Sequence, residues 1–129
     1  MTQVDEGSRG VLHIDDEECR RVAGVMDVVG RRWASGILLA LGRGAGRFSE
    51  ILELVDGLSR RMLAVRLREL ESSGLVDREV IATTPVSVRY QLTARGVDLL
   101  RSLRPMALYA QRWEPATESE SQEPTPPGR

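Results

Sequence analysis

Leu58-Ser-Arg-Arg-Met-Leu-Ala-Val-Arg-Leu-Arg-Glu-Leu-Glu-Ser-Ser-Gly74 reads as one complete helix with a start, a stop and two unlike faces. Ser59 suits the N-cap, where a hydroxyl oxygen accepts from the unpaired amides of the first turn. Gly74 suits the C-terminus, where the chain commonly needs a positive φ. At about 100° per residue, Leu63, Leu67 and Leu70 fall on one narrow stripe that must be packed against something. Arg61, Ala64, Val65 and Arg68 fall on the opposite side, with Arg60 at the N-terminal edge. A helix of about four turns, apolar behind and carrying arginine and small residues in front, has the shape and chemistry to enter a DNA major groove.

The segments on either side give this helix a context. Before it, Phe48, Ile51, Leu52 and Val55 share one face of a short helix, for which Ser49 is the expected N-cap, and Asp56-Gly57 supplies the turn. Two short helices joined by a few residues containing glycine form a helix-turn-helix. After Gly74 the period changes. Leu75–Ile81 and Val86–Leu92 are rich in β-branched residues and partly alternate, as strands do, and Ala82-Thr-Thr-Pro85 between them turns the chain into a β-hairpin. Thr93 then caps a last helix burying Val97, Leu100 and Leu103, which Pro105 is expected to kink or divide.

Farther upstream, Asp15-Asp-Glu-Glu18 places negative charge where a helix N-terminus favours it. Val22, Val25, Met26 and Val29 follow at helical spacing, and Gly30 ends that helix. The acidic run lacks the spaced ligands and glycine of a calcium loop, so no metal site is expected. Trp33, Ile37 and Leu41 stack four apart in a second helix, which Ala34, Leu38 and Leu39 make apolar over most of its circumference. Gly42-Arg-Gly-Ala-Gly46 follows a helix rather than a strand, and so reads as a cap and turn, not a phosphate cradle. The order α-α-α-α-β-β-α, with the hairpin directly behind the second helix of the helix-turn-helix, is that of a winged helix. The expected fold class is mainly α with a small β-hairpin. Its organisation is a flexible arm at 1–14, one domain at 15–113 and a disordered acidic tail at 114–129.

Composition narrows the function. All 18 basic residues are arginine, so chemistry that needs a lysine, such as a Schiff base or a Walker phosphate loop, is excluded. One histidine and one cysteine leave little for acid–base or metal catalysis, so neither an enzyme nor a cofactor is expected. A single cysteine permits no internal disulfide, in keeping with a reducing cytoplasm, and no apolar run approaches the length of a membrane span. The net charge of −1 conceals segregation, with −5 over residues 1–19, +7 over 20–112 and −3 over 113–129. A basic centre between acidic ends points to an anionic partner.

Gly30-Arg-Arg-Trp33, Arg47-Phe-Ser-Glu50, Gly57-Leu-Ser59, Arg66-Leu-Arg-Glu-Leu70, Gly74-Leu-Val-Asp-Arg78 and Val88-Arg-Tyr-Gln-Leu-Thr93, followed by Gly96, together resemble the HxlR family. Its members are bacterial winged-helix transcription regulators, related in fold to the MarR group. The resemblance runs from about residue 20 to residue 113. It implies a homodimer held by its terminal helices, a recognition helix at 59–73 and a wing at 75–92. Many members carry a cysteine just before the first helix, which in some senses electrophiles or oxidants. Cys19 sits near that place, one residue farther from the Gly-x-x-Trp motif than the usual pattern.

The residue reading and the resemblance agree on where double-stranded DNA meets the chain. Arg61 and Arg68 are suited to guanine O6/N7, and Ala64 and Val65 to thymine methyls. Ser59, Arg60, Arg78, Thr83, Thr84 and Arg89 are the expected phosphate contacts. Arg66, nearer the leucine stripe, is expected to brace the fold by a salt bridge. Trp33, Met106, Tyr109 and Trp113 form either dimer core or a pocket for a small-molecule effector. The competing reading is a winged helix that binds protein instead of DNA. Such domains usually lose the basic face, whereas residues 59–68 hold four arginines and no acid.

Overall fold

The computed structural model describes residues 10–115. Within them the chain forms α1 (Asp16–Val29), α2 (Ala34–Gly42), α3 (Phe48–Leu54), α4 (Arg60–Ser72), β1 (Val76–Ile81), β2 (Ser87–Leu92) and α5 (Ala94–Trp113). This is the expected order, and the fold is a winged helix-turn-helix. Residues 1–9 of the predicted arm and 116–129 of the predicted tail lie outside the described residues.

The core is built from residues that the helical period aligns. Ile37, Leu38 and Leu41 of α2, Ile51 of α3, and Leu63, Leu67 and Leu70 of α4 meet Leu75 and Val76 at the start of the hairpin. Burying each leucine or isoleucine stabilises the fold by about 1.5–3 kcal/mol relative to leaving it in water. α1 is closed by a reciprocal cap, in which Asp15 Oδ1 accepts from the Glu18 amide at 2.8 Å and Glu18 Oε1 from the Asp15 amide at 3.4 Å. The acidic run thus begins the helix, as expected.

Four expectations need correction. The N-cap of α3 is Arg47, not Ser49. Arginine has no acceptor, so the cap is made from the other side: Glu50 Oε1 accepts from the Gly46 and Arg47 amides, each at 2.9 Å. Trp33 does not continue the α2 stack; it precedes the helix at φ 77°. Pro105 does not divide α5, which runs unbroken to Trp113. Arg101 and Pro105 are both exposed, so water can take the carbonyl that the proline leaves without a donor. Finally, the stripe of α5 that was expected to be buried is only partly covered, and much of the α1 stripe is open beside it. Val22, Val25 and Met26 are exposed, and Val97, Leu100 and Leu103 are only half-buried.

One junction sets the hairpin against the helices. α4 ends in a Schellman turn, with Leu75 N–H donating to Leu70 O and Gly74 N–H to Glu71 O, both at 3.0 Å, and with Gly74 at φ 79°. Thr93 spans this turn and the next helix. Its hydroxyl donates to Gly74 O at 2.6 Å and accepts from the Gly96 amide at 3.0 Å, while its own amide donates to Leu75 O at 3.0 Å. β1 and β2 pair antiparallel, Val76 opposite Leu92 and Ile81 opposite Ser87. Tyr90 N–H donates to Gly46 O at 2.7 Å, which anchors β2 to the α2–α3 loop.

Gly96 lies so close to this junction that a Cβ there would overlap the Leu75 carbonyl oxygen. Gly96→Ala should destabilise the protein by about 1–3 kcal/mol, as overpacking does. Gly24→Ala is the control, since α1 leaves that position open, and it should stabilise by about 0.5–1 kcal/mol. Chemical denaturation of the two variants checks the pair, and equal stabilities would contradict the packing described.

Candidate nucleic-acid interface

α4 is positioned by its buried side. With Leu63, Leu67 and Leu70 at 0–2 % exposure, Arg61 and Arg68 are carried to the solvent side, and both are exposed. Ala64 and Val65 are half-buried beside them. Ser72, which the sequence reading did not single out, lies one turn beyond Arg68 on the same side. The Ser59 hydroxyl oxygen accepts from the Met62 amide at 3.0 Å, so Ser59 caps the helix and keeps its O–H free to donate. Arg60 lies over the Phe48 ring, 5.1 Å from its centroid, which holds the guanidinium near the α3–α4 turn.

Arg66 braces the fold as expected, through partners the sequence does not reveal. Its Nε donates to Arg32 O at 2.8 Å, across 34 residues of chain, and its terminal nitrogen meets Glu69 Oε1 at 3.0 Å. Arg31 reaches the same carboxylate oxygen at 3.2 Å. Glu69 therefore stands between two guanidiniums, which offset its charge. The tie to Arg32 also steadies Trp33, whose left-handed backbone costs about 1–3 kcal/mol unless its surroundings hold it. Arg32 covers the Trp33 ring at 4.8 Å, and the ring abuts Gly57, at φ 84° in the helix-turn-helix turn.

The hairpin separates residues that the sequence grouped together. Arg78 pairs with Tyr90 and Arg89 with Glu79, so adjacent register positions place the two arginines on opposite faces. Arg89, midway along β2, lies against Gly46 and near Glu50. Thr83 and Thr84 are exposed at the tip, but the Thr83 hydroxyl donates to Pro85 O at 2.7 Å and is used within the turn.

Cys19 is a free, exposed thiol on the second turn of α1. Of the four residues expected to form a dimer core or effector pocket, Trp33 and Met106 line an apolar groove of about 930 Å³ between α1, α2 and α5. Tyr109 and Trp113 are exposed and do not line it. Among the described residues, no three His, Cys, Asp or Glu side chains gather to hold a metal, and no helix is long and apolar enough to cross a membrane.

A helix-turn-helix with an arginine-bearing second helix and a hairpin behind it defines a winged-helix DNA-binding protein. Comparison with known proteins narrows the class: residues 28–118 match the HxlR-like helix-turn-helix model, and the chain belongs to that family. The HTH-type transcriptional regulator YvaP of Bacillus subtilis is 40% identical over 97 residues, which cover 75% of this chain and 90% of YvaP. The reduced form of the B. subtilis regulator YodB superposes with a TM-score of 0.67 at 34% identity, covering 81% of this chain and all of that one. Its quinone-bound form gives 0.63 at 33% identity, with 74% and 100% covered. A transcriptional regulator of the MarR family from Enterococcus faecalis gives 0.67 at 28% identity, with 81% and 93% covered. The protein is thus a DNA-binding transcriptional regulator of the HxlR family.

The Arg47 and Gly46 amides hold the Glu50 carboxyl below its ordinary pKa near 4.5. A carboxylate lowered in the folded state contributes stability that is present above the ordinary carboxylate range and lost as pH falls through the lowered value. Glu50→Gln should therefore be less stable than the wild type at neutral pH, with the gap closing in acid. Thermal melts across that range check this; a gap independent of pH would contradict it.

Proposed function

We propose that the protein is a homodimeric repressor that reads an inverted-repeat operator through α4, with the hairpin on the adjacent backbone. The observation that carries this is the exposed pair Arg61 and Arg68 on the side of α4 opposite three buried leucines. Val65 and Ala64 beside them add methyl contacts for thymine, Ser59 and Arg60 sit at the N-terminal edge for phosphate, and Arg78, Thr84 and Arg89 extend that role along the hairpin. The alternative, a winged helix that binds only protein, leaves this arginine face without a purpose.

Dimerisation is supported by the uncovered apolar surface. Val22, Val25 and Met26 on α1 and Met106 on α5 are each about half exposed or more, and the groove between these helices is open. A second copy related by a two-fold axis would cover the same surface on both chains. Two-fold symmetry then sets the half-sites about one helical turn, roughly 34–36 Å, apart.

A thiol switch at Cys19 is favoured by its place on α1. At i, i+3 and i+7, Cys19, Val22 and Met26 share one face, so a quinone added to Sγ would stand at the edge of the dimer surface. The quinone-bound structure of the related YodB supports this reading. A small-molecule effector in the groove beside Trp33 and Met106 would act on the same surface.

Selection of bound genomic fragments, followed by gel shifts, tests the central reading. Binding should weaken steeply with salt, because phosphate neutralisation dominates affinity. Arg68→Ala should cost about 1–3 kcal/mol and relax base preference at one operator position; equal weakening of every sequence would remove Arg68 from base reading. Cys19→Ser should keep DNA binding but no longer release the operator when a quinone is added. Release undiminished in that variant would end the thiol proposal.

A further inference from the structure

Between the C-terminal half of α4 and the α1–α2 junction lies a cleft of about 430 Å³, with Val65, Arg68 and Ser72 on one wall and Val28 and Arg31 on the other. The first wall belongs to the outward side of α4, so the cleft opens beside the proposed base-reading residues. The second wall carries a cation fixed in place. Arg31 Nε donates to Asp27 O at 3.2 Å, and one terminal nitrogen meets Glu69 Oε1 at 3.2 Å.

Arg31 and Arg66 share that carboxylate oxygen but differ in access. The Arg66 side chain is 16% exposed and its Nε is committed to Arg32 O, whereas the Arg31 side chain is 49% exposed. Two guanidiniums on one carboxylate leave the group net positive, and the free positive end belongs to Arg31. A guanidinium offers five N–H donors in a rigid fork suited to phosphate. Arg31 uses two of its nitrogens to hold its position, and so has little side-chain entropy left to lose on meeting an anion.

A helix in a major groove runs between two phosphate backbones, in a groove about 12 Å wide. A cation held at the flank of α4, one side chain from its outward face, lies within reach of one of them. We propose that Arg31 is a phosphate contact, presented from the α1–α2 junction to the DNA strand that flanks α4. This rests on α4 being the recognition helix, and it makes the end of α1 part of the DNA interface.

The test is the salt dependence of binding to a random-sequence DNA duplex and to the selected operator, with thermal melts confirming that each variant folds. Arg31→Ala should make the slope of log K against log salt shallower by about 0.9 per bound protomer. It should also weaken both DNAs alike. Arg31→Lys, which keeps the charge without the fork, should retain the wild-type slope. An unchanged slope in Arg31→Ala, or the same loss in Arg31→Lys, overturns the proposal. If this occurs while Arg68→Ala still relaxes base preference, only the Arg31 assignment falls. Wild-type protein with no salt-sensitive binding would overturn the recognition-helix reading as well.

Discussion

Burial of Leu63, Leu67 and Leu70 is the constraint from which the rest of this molecule follows. The three side chains occupy one stripe of α4 and are almost wholly withdrawn from water against α2, α3 and the root of the hairpin. A helix is a rigid cylinder, so fixing that stripe fixes the opposite one. Arg61 and Arg68 are turned outward by the same packing that hides the leucines. The core and the arginine-bearing surface are two sides of a single event, and rotating α4 to bury an arginine would expose a leucine.

The second constraint is the turn at Gly74, where helix gives way to strand. Thr93 ties the Gly74 carbonyl to the first turn of α5, and Gly96 lets the start of α5 approach the Leu75 backbone more closely than any side chain would allow. The hairpin is held at its root by Thr93 and along β2 by the Tyr90–Gly46 bond, while its tip projects into solvent. Arg78 and Arg89 consequently stand on opposite faces. The Arg66–Glu69–Arg31 group plays a similar part on the other side of the domain. It joins α4 to the end of α1, so the helix with the uncovered apolar face and Cys19 is linked through charged groups to the helix with the arginine face.

Most of the architecture was legible in the residues because its causes are local. Helical spacing located the leucine stripe, Ser59 and Thr93 announced the helix starts, Gly74 announced a stop, and the shift to β-branched alternation located the hairpin. The errors have local causes too. Ser49 was preferred as a cap because it is a common capping residue, but Glu50 two positions inside the helix caps from its carboxylate instead. Pro105 was expected to kink or divide α5; the helix runs through it, because its position on the exposed side makes the missing bond tolerable. The stripe of α5 was expected to be buried, and Val97, Leu100 and Leu103 are only half-buried. Period alone reports that a face is apolar, not what covers it.

The sequence by itself therefore determined the order of elements, the two faces of α4 and the family to which the chain belongs, since each depends on residue type and spacing along a regular backbone. Tertiary structure alone decided what each of three arginines meets. Arg66 is sunk on a carbonyl 34 residues away, Arg31 meets a carboxylate from another helix, and Arg89 turns toward Gly46 and Glu50. Those outcomes depend on distances between segments that no local period encodes, because a guanidinium pairs with whichever acceptor the packed chain brings within reach.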